Sequence, residues 1–189
     1  LGDLEEDEAP FAPGALGLDL PPAMDPLRRR FELARLAADH RRDITPLAAL
    51  DMADALGAFL DACHLEEVEN PERVRDLVDG DMARHWKTSA DFLALGVEAW
   101  PKRLAELGLV DPAWRRVKLL RLLAETWRAA PPAHPVIVAG STGAEPSIAA
   151  VMAAADLAPR GCVVLPGLDQ AASEAVWAQV DWNHPQHAM

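Results

Sequence analysis

Between about residue 25 and residue 130, apolar residues recur at helical spacing. Four of these segments begin with a good N-cap residue followed by proline, at Asp25-Pro26, Thr45-Pro46, Asn70-Pro71 and Asp111-Pro112. Proline suits the first helical position because the N–H group that it lacks has no intrahelical partner there. These four signals therefore predict four helix starts.

The first two helices are predicted from their apolar faces. The first covers residues 26–40, and the second covers residues 46–64. The residues expected to face inward are Leu27, Phe31, Ala34 and Ala38 in the first helix, and Leu56, Phe59, Leu60 and Cys63 in the second. A short third helix is expected after Asn70, with Gly80 as its end.

A long helix is then predicted over residues 81–108, which Pro101 should kink or interrupt. A further helix covers residues 112–130. The apolar stripe of the long helix is Trp86, Leu93, Val97, Trp100 and Leu104, and that of the last helix is Val117, Leu120, Ala124 and Trp127. The tryptophans at 86, 100, 114 and 127 are interpreted as core, with a stacking surface for single-stranded bases as the alternative.

The pattern changes near residue 134. Two short β-branched runs, residues 135–140 and 162–166, flank a segment at 146–158 with helical spacing. This order predicts two buried parallel strands joined by a crossover helix. The sequence therefore predicts an α/β fold that is mostly helical, with a helical subdomain and a small parallel β-α-β unit.

The loop after the first strand lies where α/β sheets bind ligands. Gly140, Ser141, Thr142 and Gly143 are the candidate residues of this nucleotide-like loop, together with Asp169 and Gln170 after the second strand. A phosphate-binding Walker A loop needs a lysine, where the chain has Ala144. A Rossmann fingerprint and a nucleophile elbow also fail on the glycine spacing. No acidic residue ends the first strand to hold Mg²⁺, so we expect no catalytic residue, metal or cofactor.

The charge and composition of the chain limit the classes of partner that it can bind. The 189 residues carry a net charge of −12, which does not fit a self-sufficient, non-specific nucleic-acid binder. The basic residues Arg115, Arg116, Lys118 and Arg121 form the best local candidate for contact with DNA or an acidic partner, although a solvated helix face is the more ordinary interpretation. No apolar run is long enough for a membrane helix. Cys63 and Cys162 fit no metal spacing and are expected as free buried thiols in a reducing cytoplasm.

Three segments are expected along the chain. Residues 1–24 are acidic and rich in proline and glycine, which is typical of a linker. Residues 25–133 form the helical subdomain, and residues 134–189 form the β-α-β unit.

Because the first residue is Leu1, we expect a fragment or a processed piece of a longer chain. His40, His64 and His85 are interpreted as surface or capping residues, and a metal site at His184 and His187 is disfavoured by the proline between them.

Several of these segments together resemble a known family. The stretch "VIVAGSTGAEPSIAAVMAAADLAPRGCVVLPGLDQ", the tail "NHPQHAM", the upstream "FLALGVEAWPKRLAELGLVDPAWRRVKLLRLLAETW" and the opening "LGDLEEDE" look like the AddB subunit of AddAB helicase-nucleases, in its alphaproteobacterial form. The resemblance implies an internal piece of the inactivated, superfamily 1 helicase-like half of AddB. The end of the chain would then be a partial RecA-like unit. The implied role is non-catalytic support of DNA double-strand break repair by homologous recombination, beside an AddA-type helicase subunit and single-stranded DNA.

Two other functions stay open. A small α/β domain or enzyme could bind a nucleotide or another anion through the Gly-Ser-Thr-Gly loop at a helix N-terminus. A plain interaction module could dock acidic residues 3–8 on a basic partner. Because two parallel strands cannot form a covered sheet alone, we expect helices or a second copy of the chain to protect their edges.

Overall fold

The computed structural model describes residues 20–71, 73, 83–167 and 171–181, with only the backbone described at 83–91. Six helices and two strands follow in this order: α1 (Pro26–His40), α2 (Pro46–Leu65), α3 (Ala83–Leu107), α4 (Pro112–Ala129), β1 (Val136–Ala139), α5 (Pro146–Asp156), β2 (Gly161–Val164) and α6 (Glu174–Trp177). The fold is mostly helical with a small parallel sheet, as the sequence predicts. The short helix α6 was not predicted, and the helix expected after Asn70 lies outside the described residues except at Pro71 and Arg73.

The helix starts predicted at Asp25 and Thr45 are confirmed, and both are capped as their sequence signals indicate. The Asp25 carboxylate accepts a hydrogen bond from the backbone N–H of Arg28, at 2.9 Å. The Thr45 hydroxyl accepts one from the N–H of Ala48, at 3.2 Å. These bonds satisfy first-turn N–H groups that have no partner inside the helix. Pro101 does not interrupt α3, which continues through it to Leu107.

The described residues divide into two compact units, one ending at Val117 and the other beginning at Lys118. In the first, α1, α2 and α3 pack against one another. Their core contains Leu33, Leu56, Leu60, Trp100 and Leu104. The three-segment division of the sequence stays a prediction. Residues assigned there to the linker take part in this unit, since Met24 is buried and its N–H donates to the carbonyl of Val110 at 2.9 Å.

The inward face predicted for α1 is confirmed at Ala34, which is buried, and wrong at Leu27 and Phe31. Leu27 and Phe31 are 60% and 52% exposed, whereas Leu33 is 1% exposed. The row of Leu33 and Ala37 also faces inward, and Arg29, one turn before Leu33, pairs with a buried carboxylate. The predicted faces of the later helices are confirmed at the buried residues Leu56, Leu60, Trp100, Leu104, Val117, Ala124 and Trp127. The other predicted residues are half-buried, except Trp86, whose side chain lies outside the described residues. Burial of Trp100 and Trp127 favours core over a base-stacking surface.

That carboxylate belongs to Asp111, which is 2% exposed and precedes α4. Its Oδ2 accepts hydrogen bonds from Arg29 Nε at 3.0 Å and from Trp100 Nε1 at 2.9 Å. Its Oδ1 accepts the backbone N–H of Ala113 at 3.1 Å. Arg29 also pairs with Asp61 on α2, with Nη2 2.8 Å from Oδ1. One buried anion therefore connects α1, α3 and the start of α4, and its arginine partner extends the connection to α2.

In the second unit, β1 and β2 are parallel and in register from Val136 opposite Gly161 to Ala139 opposite Val164. Helix α5 packs against both strands. The prediction that both strands are buried is wrong, because exposure alternates along each of them. The open face carries Ile137, Ala139, Cys162 and Val164, with Ile137 69% exposed. One helix covers one face of this two-stranded sheet, and a sheet buried on both faces needs a second layer.

Glycine is required where α5 leads into β2. A Cβ atom built on Gly161 would overlap the backbone carbonyl oxygen of Ala155 and press against the Cβ of Ala158. Backbone atoms cannot move aside as a flexible side chain can. This glycine therefore allows the last turn of α5 to lie directly over the start of β2.

We expect Asp111→Asn to lower the free energy of unfolding by about 3 kcal/mol, because it leaves the part-buried Arg29 guanidinium with one anionic partner instead of two. The new amide NH₂ would also face donors on Arg29, Trp100 or Ala113. Urea unfolding followed by circular dichroism measures the change. Asp54→Asn, which removes the carboxylate of an exposed pair with Arg30, is the control and should cost much less. Equal losses in the two variants would contradict the larger contribution to stability that we assign to the buried Asp111 carboxylate.

Candidate functional site

The candidate loop begins where β1 ends. The N–H of Gly140 donates to the carbonyl of Val164 at 3.2 Å, which extends the strand pairing by one residue. Gly140 and Gly143 then adopt positive φ angles of 82° and 72°, which L-residues rarely adopt. The Ser141 hydroxyl accepts a hydrogen bond from the N–H of Gly143, at 3.2 Å. The loop therefore turns back on itself before α5 begins at Pro146.

The electrostatics of this loop differ from those of a phosphate site. A helix N-terminus attracts anions because its first N–H groups and its dipole are positive. Here Glu145 stands at the N-cap position of α5, and its side chain makes no capping hydrogen bond. It is the one charged residue in the stretch 140–147. Glu145 thus adds a negative charge at the end of α5 that would have to attract a nucleotide phosphate.

One polar group near the loop is unusual. Ser147, in the first turn of α5, is fully buried, and its Oγ has no hydrogen-bond partner among the described residues. A buried hydroxyl normally finds a partner, so this one is an available donor at the helix N-terminus. Sequence reasoning did not single out Ser147.

The remaining predicted site residues are only partly brought together. Asp169 and Gln170 lie outside the described residues, as do His184 and His187. Arg115, Arg116, Lys118 and Arg121 all lie on α4, where Lys118 is exposed and the three arginines are half-buried. Leu119 and Leu123, three and seven residues after Arg116, are buried. Arg116 therefore lies on the same row as these leucines, apart from the exposed Lys118.

A feature that the sequence did not predict lies in the first unit. A cavity of about 640 Å³ is lined by residues of α2, α3 and the connection into α4, including Cys63, His64 and Trp100. His64 is half-buried in the last turn of α2, which disfavours a surface residue and agrees with the position of a capping one. Burial lowers the pKa of His64 and raises the pKa of the Cys63 thiol. The available signal was the spacing of Leu56, Leu60 and His64, which places the histidine on the inward row of α2.

Both cysteines are free, but the expectation that they are buried is wrong, since Cys63 is half-buried and Cys162 is exposed. Within the described part of the chain, no helix combines the length and the apolar character needed to cross a membrane. The described residues also include no cluster of three or more His, Cys, Asp or Glu side chains arranged to hold a metal ion.

Comparison of the chain with protein-family models, with curated proteins and with solved structures finds no match. The likeness to AddB is therefore carried by the sequence motifs alone.

Two glycine substitutions test the loop geometry. Gly140→Ala should lower the free energy of unfolding by about 1–2 kcal/mol, because alanine pays a steric cost at positive φ. Gly143→Ala should cost more, since its new Cβ also lies 3.3 Å from the Met152 sulfur, whereas the Cβ of Gly140→Ala meets nothing within 4 Å. Urea unfolding of both variants measures the difference. A larger loss for Gly140→Ala would mean that the loop does not pack on α5 as described.

Proposed function

We propose that this chain is a non-catalytic, helicase-like scaffold segment of a DNA double-strand break repair subunit of the AddB type, with a partial RecA-like unit at its end. In this role it supports the binding of single-stranded DNA, held by the full complex, or of an AddA-type helicase subunit during homologous recombination in the cytoplasm. The proposal starts from the resemblance of the loop, the Leu-Pro-Gly-Leu-Asp turn and the His-Pro-Gln tail to that family.

The observation that carries the proposal is the N-cap position of α5. The parallel strands, the crossover helix and the glycine loop keep the layout of a nucleotide site. At the point where that layout would meet a phosphate, the chain has Glu145 in place of a capping hydroxyl and Ala144 in place of a lysine. At the end of β1, where an active motor holds Mg²⁺ through a carboxylate, it has Ala139 and Gly140. This combination supports a domain that keeps the layout of a nucleotide site but lacks the residues that would hold phosphate and Mg²⁺.

The DNA or partner contact is assigned to the basic residues of α4. Lys118 is exposed, and ammonium groups bind phosphate oxygens without regard to base sequence. The net charge of −12 limits such binding to a local patch. We therefore expect weak, salt-sensitive affinity from this chain alone and stronger binding in the complete helicase-nuclease.

A second candidate function is supported by Ser147. A small α/β domain could bind a nucleotide or another anion in the loop, with the buried hydroxyl as one donor and the N-terminus of α5 as the other. The negative charge of Glu145 opposes this function, which is why the scaffold is preferred.

Calorimetric titration with ATP and Mg²⁺ separates the two functions. The scaffold proposal predicts no saturable heat, because the loop has no lysine and the N-cap residue of α5 is the acidic Glu145. If heat is observed, Ser147→Ala should remove it and Ser173→Ala, at the exposed N-cap of α6, should not. Micromolar ATP binding with this pattern would replace the scaffold proposal by the anion-binding one.

Single-stranded DNA titrated at several salt concentrations tests the basic surface. Lys118→Glu should weaken binding and reduce the slope of log K against log salt by about 0.7, the value for one phosphate contact to a single strand. Arg35→Glu is the matched control, because it makes the same charge change on α1 at a residue that is 72% exposed. Equal effects of both variants would indicate a non-specific charge effect. If the chain retains neither DNA nor an AddA-type subunit, the scaffold proposal is wrong.

A further inference from the structure

The cavity in the first unit has the size and the lining of a small-molecule site. Its volume of about 640 Å³ falls within the range of about 300–1,000 Å³ that is usual for such sites. Leu60, Val97, Leu104 and Val110 supply aliphatic walls, and Trp100 and Trp114 supply aromatic ones. Because the Asp111 network holds α3 and the start of α4 together, these walls are fixed before any ligand arrives.

The charges around the cavity select against anions. Its described lining includes the acidic residues Glu69 and Asp111 and contains no lysine or arginine. The Asp111 carboxylate is already engaged by Arg29, Trp100 and Ala113, so it has little capacity left for a cationic ligand. A carboxylate or phosphate entering this space would be desolvated beside negative charge, which is costly.

His64 provides the polar contact. Its ring lines the cavity, and among the described residues its ring nitrogens have no hydrogen-bond partner. Burial favours the neutral ring, which has one N–H donor and one nitrogen acceptor. A hydroxyl or carbonyl group of a ligand can pair with either of them.

We propose that this cavity binds a neutral, largely aromatic small molecule that bears one hydroxyl or carbonyl group directed at His64. The aromatic part fits against the indoles of Trp100 and Trp114, and the polar group satisfies the histidine ring. This site lies in the unit that ends at Val117, so it does not depend on the scaffold role or on the loop after β1.

The test uses 2-naphthol as the probe and Cys63 as the reporter. Cys63 lines the cavity, and in the full chain with Cys162→Ser it is the one remaining thiol. Saturating 2-naphthol should slow the alkylation of Cys63 by iodoacetamide at mildly alkaline pH. In the Cys63→Ser chain, 2-naphthol should leave the alkylation of Cys162 unchanged. This comparison uses no substitution that fills the cavity.

Variants locate the probe. Ala105→Trp, at an exposed lining position of α3, should fill the cavity and abolish protection. Lys102→Trp, at an exposed position of α3 outside the lining, is the matched control and should retain it. His64→Phe keeps an aromatic ring but removes the hydrogen bond. It should weaken 2-naphthol binding about fivefold and leave naphthalene binding unchanged.

Three results would overturn the proposal. The first is an absence of saturable protection of Cys63 by 2-naphthol. The second is equal loss of protection in Ala105→Trp and Lys102→Trp. The third is tighter binding of a charged analogue, 2-naphthoate or 2-naphthylmethylamine, than of 2-naphthol, which would exclude a neutral ligand. Failure of this test leaves the ATP and DNA titrations unaffected, because they probe the loop after β1 and Lys118, which do not line the cavity.

Discussion

The helical unit depends on one buried carboxylate. Asp111 holds Arg29 of α1, the indole of Trp100 on α3 and the first turn of α4. A buried charge is costly unless donors surround it, and here three donors converge on two oxygens. The same group therefore sets the rotation of α1, the position of α3 and the point where α4 begins. Hydrophobic burial supplies most of the stability of such a unit, but it is not directional. The hydrogen bonds of Asp111 are directional, and they fix how the helices are oriented.

The parts of the fold that sequence reasoning predicted are those fixed by short-range chemistry. Asp25, Thr45 and Asp111 accept hydrogen bonds from first-turn N–H groups a few residues away, so their roles can be inferred from a local pattern. The rotation of α1 could not be inferred in that way. Arg29 interrupts the row that faces the core, and a count of apolar residues therefore favoured the row of Leu27 and Phe31. Only the position of Asp111, 82 residues further along the chain, explains why a charged residue points inward.

In the candidate sites, too, local features were predicted from the sequence and features that depend on tertiary packing were not. The glycines of the loop after β1 were identified from sequence, because positive φ angles and glycine go together. The exposed face of the sheet was missed, since β-branched residues indicate a strand without indicating how many layers cover it. The cavity was missed because its walls come from segments far apart in the chain, and His64 became noticeable only once they were assembled. Partners that meet through tertiary packing leave little trace in a single sequence.

Gly161 has a consequence for how such a chain changes over evolutionary time. Its requirement for glycine comes from the carbonyl of Ala155 directly above it and not from any ligand. Gly140, in contrast, has open space around it and is constrained by backbone conformation alone. If selection for phosphate binding relaxes, the residues that touched the phosphate can drift, while a packing glycine stays under selection as long as the fold does. The β-α-β unit is thus better traced by the glycine under its crossover helix than by the residues of the loop after β1.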